Sequence, residues 1–209
     1  SDFISLAEDT GQIIPISEWV LATACRDTQQ LNAMGLGAIT MAVNISPMQF
    51  QRPGFLASIE QVLAASGLEP ALLELEITEG VLMDSAEQAI QALKALRGLG
   101  VQIALDDFGT GFSSLSYLKR LPINRIKIDR SFVRDVITDR HDAAIIDGVV
   151  AMAGKMGLEV LVEGVETPEQ FGYLQQRHCD YFQGYYFARP MPLDALCRFL
   201  NLPPAYTAR

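Results

Sequence analysis

Short apolar runs rich in β-branched residues alternate with amphipathic helical stretches along nearly the whole chain, and this alternation is the strongest constraint on its fold. The strand-like runs are "AITMAVN" ending at Asn44, "LLELEIT" (72–78), "VQIALDD" (101–107), "NRIKID" (124–129), "LEVLVEG" (158–164) and "YFQGYYF" (181–187). Between them, Phe55, Ile59, Val62 and Leu63 form one apolar stripe at helical spacing, and Ile145, Ile146, Val149, Val150 and Ala153 form another. Thr167-Pro168-Glu169-Gln170 reads as a helix start, with Pro at the first helical position and Gln where a capping box needs it. Gly35, Gly67, Gly100 and Gly157 are placed to end helices just before the next strand. No Pro/Ser-rich linker or low-complexity tract interrupts the 209 residues, so the pattern describes one domain.

Strand and helix in strict alternation imply a parallel sheet, either doubly wound or curled into a barrel. The polar residues favour the barrel. Asn44, Glu76, Asp106 with Asp107, Lys127 with Asp129, Glu163 and Gln183 each lie at or near the C-terminal end of a strand run. In a barrel those ends converge on one face, where barrel active sites lie. In an open sheet only the strands flanking the switch point would meet a ligand. A closed eight-stranded barrel needs about two strands more than these runs supply. The sequence opens directly on the helix-like "SDFISLAEDTGQIIPISEW", so the missing strands are expected upstream.

Asn44, Glu76, Asp106 and Asp107 make an oxygen-only donor set of the kind that holds a hard cation, Mg²⁺ or Mn²⁺. Crowded carboxylates without a cation would force proton uptake, since like charges raise a neighbour's pKa. Two adjacent aspartates can serve two metals, with Asp106 bridging and Asp107 turned to the second. A metal pair about 3.5–4 Å apart suits in-line displacement at phosphorus. Lys127 would add a positive group to orient water or offset developing charge. The net charge of −9, from 25 acids against 16 bases, argues against a general nucleic-acid surface but allows a phosphodiester once metals mask the acids. Cys25, Cys179 and Cys197 are read as reduced thiols, and His141 and His178 lack metal-binding spacing. There is no apolar run of about eighteen residues and no export leader, so any membrane segment would lie outside this chain and a cytoplasmic domain is expected. The "DFG" at 107–109 lacks the other kinase motifs, and "GTGFSS" has too few glycines for a dinucleotide fingerprint.

The stretches "AVNISPMQF", "LELEITEGVLM", "ALDDFGTGFSSLSYLKRLPINRIKIDRSFV", "LVEGVET" and "FQGYYFARPM" resemble, in order, the signatures of bacterial EAL domains, the cyclic di-GMP phosphodiesterases. The resemblance runs from about Phe3 to Phe199. It implies a (β/α)8-type barrel with one strand antiparallel to the others, here lacking about two N-terminal strands. It also implies hydrolysis of cyclic di-GMP to linear pGpG with Mg²⁺ or Mn²⁺, two per site. By motif, Asn44, Glu76 and Asp106 would hold the first metal, while Asp106 and Asp107 would hold the second. Lys127 would contact the nucleophilic water, and Glu163 would bind near the second metal or act as base. Asp129, Glu166 and Gln183 would complete the surroundings, and Gln183, Phe108 and Gly109 would meet substrate. Glu79 would brace the Gly/Ser/Thr-rich loop at 108–118 and couple it to dimer contacts. The resemblance further implies a homodimer and upstream sensory or GGDEF-type modules. The namesake Glu-Ala-Leu stretch does not occur in this sequence. Its glutamate, a metal ligand in the family, and a nearby phosphate-binding arginine would sit on the upstream strand. The parent protein is therefore expected to be catalytic, and these residues alone to be inactive or unstable. The competing reading is an EAL-type receptor that binds cyclic di-GMP without turning it over.

Overall fold

Each of the apolar runs forms a strand in the computed structural model, which describes residues 3–35, 38–82, 86–109 and 118–201. The strands are β1 (Met41–Ile45), β2 (Leu73–Thr78), β3 (Gln102–Phe108), β4 (Arg125–Ile128), β5 (Glu159–Val162) and β6 (Tyr181–Phe182). They form one sheet in the order β1-β2-β3-β4-β5-β6, and every neighbouring pair is parallel. Strand order follows chain order without reversal, so there is no switch point of the doubly wound kind. The sheet is a curled arc, part of a (β/α)8-type barrel. The antiparallel strand implied by the resemblance is not among the described strands.

The helices are α1 (Ile4–Asp9), α2 (Ile13–Ala33), α3 (Pro47–Phe50), α4 (Phe55–Ser66), α5 (Ala86–Gly98), α6 (Arg130–Arg134), α7 (Arg140–Met156), α8 (Pro168–Gln175) and α9 (Leu193–Asn201). Their boundaries follow the local chemistry. Gly67 and Gly157 close α4 and α7 in the left-handed conformation. Thr167 and Gln170 form the reciprocal capping box at the start of α8. Phe55, Ile59 and Leu63 of α4 are buried, as are Ile146, Val149 and Ala153 of α7, whereas Ile145 is 40% exposed and lies at the edge of its stripe.

The period-two alternation of the strands sorts their side chains onto two faces. Val43, Ile45, Leu73, Leu75, Ile77, Ile103, Leu105, Ile126, Ile128, Val160 and Val162 are all buried in one continuous core. The intervening residues of β2–β4, Glu74, Glu76, Asp106, Arg125 and Lys127, take the opposite, concave face. One expected strand is shorter than its sequence suggests. "YFQGYYF" pairs only through Tyr181 and Phe182, and the chain then turns at Gly184. The reason is steric and polar. A Cβ at Gly184 would collide with the backbone of Val165, and the Val165 carbonyl accepts the Tyr186 N–H at 3.0 Å. After the Gln183 N–H donates to Val162 of β5, the Gln183 carbonyl and the Tyr186 N–H bond the Val165 backbone of the β5–α8 connection, which ends the ladder.

Candidate metal centre

Lys127 stands at the centre of the concave face with 2% of its side chain exposed. Its Nζ lies 2.7 Å from Glu76 Oε2, 3.0 Å from Asp106 Oδ1 and 2.7 Å from Glu163 Oε1. An ammonium has three N–H donors, and here three carboxylates from three strand ends take them up. Burial disfavours the charged amine, but the attraction of Glu76, Glu163 and Asp106 outweighs it and holds the Lys127 pKa above its ordinary value. The acids move the other way. Burial raises the pKa of Glu76 and of Glu163; Lys127 offsets this in part, and Asp106 adds to it. One lysine thus faces more carboxylate charge than it can balance.

The adjacent aspartates reach the same site because β3 is irregular there. Successive residues of a regular strand point to opposite faces, which would send Asp106 and Asp107 apart. Leu105 pairs with Ile126 and Phe108 with Ile128, so Asp106 and Asp107 together oppose Lys127 alone. This is a bulge. Asp107 takes φ +54°, a left-handed conformation that Asp tolerates better than most residues, and its N–H donates to Asp106 Oδ1 at 3.0 Å. As a result one carboxylate oxygen each from Asp106, Asp107 and Glu163 lie within 4.8 Å of one another. Asp107 is exposed to solvent. Partial desolvation, then the charges of Asp106 and Asp129, push its pKa up. An oxygen-only group of excess negative charge, open on one side, fits a hard divalent cation.

The remaining expected residues surround this centre. Asn44, next to last in β1, is in register with Glu76 and is exposed. Glu79, on the turn after β2, accepts the Gly109 N–H; desolvation and the Asp107 charge raise its pKa. Gly109 has φ +96°, and a Cβ there would lie 3.1 Å from the Phe132 ring, so glycine is required where the chain leaves the aspartates. Most of the expected loop, residues 110–117, lies outside the described residues. Asp129 caps α6, with Oδ1 accepting the Ser131 N–H at 2.9 Å. Burial disfavours its charge, but the hydrogen bonds from Ser131 and Arg130 prevail and lower its pKa. Glu166 and Gln183 join Glu163 in lining a cleft of about 470 Å³.

Phe108 was expected to meet substrate. Its side chain is 6% exposed and packs in the core with Ile128, because the bulge restores it to the helix-facing side of β3. Two groups of residues were not singled out by sequence. Arg130, Tyr185 and Arg189 also line the cleft. One step below Lys127, Arg125 pairs with Glu74 and Glu159. The charged residues of "LELE" and "RIK", spaced by two within apolar runs, are the signal that marks this lower tier.

Comparison with known proteins places the arrangement in a family. The model of the EAL domain matches residues 1–190. The cyclic di-GMP phosphodiesterase NbdA of Pseudomonas aeruginosa is 45% identical over 199 residues, which cover 95% of this chain and 25% of that protein. The solved c-di-GMP complex of the PaMucR phosphodiesterase superposes with a TM-score of 0.90 at 42% identity, covering 93% of this chain and 79% of that one. The manganese and cyclic di-GMP complex of Klebsiella pneumoniae BlrP1 gives a TM-score of 0.76 at 34% identity, over 85% of this chain and 45% of that one. The chain spans about a quarter of the length of the curated relatives it matches. On the family match and the extent of these likenesses, this chain belongs to the EAL domain family.

Proposed function

We propose that this domain hydrolyses cyclic di-GMP to linear pGpG with two divalent cations, Mg²⁺ or Mn²⁺, held by Asn44, Glu76, Asp106, Asp107 and Glu163. The observation that carries the reading is the convergence of Asp106, Asp107 and Glu163 beside the buried Lys127. The likeness to proteins named as cyclic di-GMP phosphodiesterases, and to complexes containing c-di-GMP, supports the substrate. Bound cations would lower the pKa of a water and offset charge on the attacking and leaving oxygens.

The chain's own residues supply the rest. Lys127 stays protonated and presents a fixed positive charge to the attacking water and the phosphoryl oxygens. Glu163, whose proton affinity is raised by burial and whose side chain borders the open cleft, takes the proton of the water. Glu79 fixes the backbone at Gly109 and thereby the bulge that aims both aspartates. Gln183 and Glu166 hold the substrate side of the cleft, and Gly109 lets the chain approach the ligand closely. Asp129 stabilises the start of α6 and adds negative charge facing Asp107. In the parent protein we also propose a cytoplasmic homodimer with upstream sensory or GGDEF-type modules; relatives about four times as long as this chain support the additional modules. Among the described residues no helix is long and apolar enough to cross a membrane.

The test is turnover by the full-length protein. With Mg²⁺ or Mn²⁺, cyclic di-GMP should appear as pGpG, and Asp106→Asn should abolish this. Tight binding of cyclic di-GMP by the wild type without product, under either metal, would instead make it a receptor.

A further inference from the structure

The concave wall carries a second charged tier one pleat below the first. Arg125 sits two residues before Lys127 on β4, as Glu74 does before Glu76 on β2, so β2 and β4 contribute to both tiers. One terminal guanidinium nitrogen of Arg125 lies 2.7 Å from Glu74 Oε2 and the other 2.7 Å from Glu159 Oε2. The Tyr181 ring stacks on the guanidinium with its centroid 4.0 Å away, and the Tyr181 hydroxyl donates to Glu159 Oε1 at 3.2 Å. Barrel interiors at this depth are ordinarily filled by bulky branched apolar residues. Replacing a buried ion pair by such residues is often neutral or stabilising, so stability is a poor reason for this tier. Arg125 also leaves its buried Nε without a hydrogen-bond partner among the described residues, so its hydrogen bonds there go to the two acids, with the Tyr181 ring stacked on it.

What the tier controls follows from the reach of Lys127. The ammonium ends a flexible stem about as long as the roughly 6.6 Å between residues two apart on a strand. Glu74 is 2% exposed and close enough to feel the Lys127 charge. It is therefore a fourth carboxylate available to an ammonium that already serves Glu76, Asp106 and Glu163. We propose that Arg125 is a positioning residue: by occupying Glu74 in the lower tier, it keeps Lys127 directed at Glu76, Asp106 and Glu163. Without Arg125, a buried and uncompensated Glu74 draws the ammonium down by one tier, away from the reacting groups. Glu159 differs, because its side chain is 46% exposed and water can solvate it.

This inference rests on the proposed phosphodiesterase activity, and its test separates the two. In the full-length protein, Arg125→Met is expected to lower kcat roughly tenfold to a hundredfold with KM changed by less than about twofold, since Lys127 is displaced while the substrate cleft is intact. Adding Glu74→Met removes the competitor, and kcat should return to within about threefold of wild type. Glu74→Met alone should leave kcat near wild type, and Arg125→Lys should retain most of it. A crystal structure of the Arg125→Met variant should show Lys127 Nζ bonded to Glu74, a readout independent of turnover. If Arg125→Met does not fold, the Arg125→Met/Glu74→Met protein still decides: folded and active, it supports the inference; folded and as slow as a Lys127 variant, it overturns it. Additive losses in kcat, or Lys127 unmoved in Arg125→Met, would reduce the tier to a structural one. Wild-type protein without turnover would sink the phosphodiesterase reading, while the position of Lys127 in Arg125→Met would still decide the role of Arg125.

Discussion

Lys127 concentrates the electrostatics of the site in one side chain, and its removal gives the sharpest residue-level expectation. Lys127→Met keeps the volume but leaves Glu76, Asp106 and Glu163 facing one another in a buried setting. Breaking a buried pair by removing one partner costs about 3–5 kcal/mol, so urea unfolding of the metal-free variant at pH 7 should shift by that order. Added Mn²⁺ should recover part of the loss by supplying another counter-charge, while turnover stays lost. Asp106→Asn is the complementary change. It removes a carboxylate from both Lys127 and the proposed metals, so Mn²⁺ should no longer raise its Tm, and kcat should fall on the order of a thousandfold or more. Glu76, Asp106, Lys127 and Glu163 were legible as strand-end residues in the sequence. The role of Lys127 as the hub joining three of the acids was not, because side chains from three separate strands meet only when the sheet curls.

At the scale of elements, two connections hold the site in place and differ in what they control. A Cβ at Gly184 would strike the backbone of Val165 and force apart β6 and the β5–α8 connection that bears Glu163 and Glu166. Gly184→Ala is therefore expected to cost about 1–3 kcal/mol in unfolding experiments and to lower kcat, since Gln183 and Glu163 shift together. Thr167→Ala removes the α8 cap, should cost about 1 kcal/mol, and should leave kcat unchanged because the Thr167 hydroxyl serves the helix start and does not line the cleft. If both variants lose activity in proportion to stability, the β5–α8 connection has no special part in the site. The strands, the capping box and the glycine stops were readable because they depend on short-range pattern. The truncation of β6 and the bulge of β3 were not. Both depend on backbone groups that are neighbours only in space: Val165 against Gly184, and the pairing of two β3 residues with Lys127.

For the whole molecule, the crowded acids couple stability to pH and metal. Burial raises the pKa of Glu76 and Glu163 above the value of 4.5 they take when unperturbed. Groups with raised values bind more protons folded than unfolded, so their contribution to stability is present below about pH 4.5 and is lost as pH rises through the folded values. Lys127, whose value is raised too, keeps its contribution throughout that range and loses it only in strong alkali. The metal-free protein should therefore lose Tm from these groups as pH rises above about 4.5, whereas a cation favours the deprotonated acids. Thermal unfolding with and without Mn²⁺ should show a metal-induced rise in Tm that is larger near pH 7.5 than near pH 5, a comparison about the same protein in both arms. A rise independent of pH would mean that the cation does not bind these carboxylates. The sequence by itself determined the alternation of strands and helices, the parallel barrel class and the residues at the strand ends, because each is a matter of local periodicity and of donor chemistry. Only the tertiary structure decided which acids Lys127 serves, how both aspartates face one centre, and that Arg125 and Glu74 lie directly beneath it. Those relations need the sheet to bring distant strands together, and the energies that matter there fall off over a few ångströms between residues far apart in the chain.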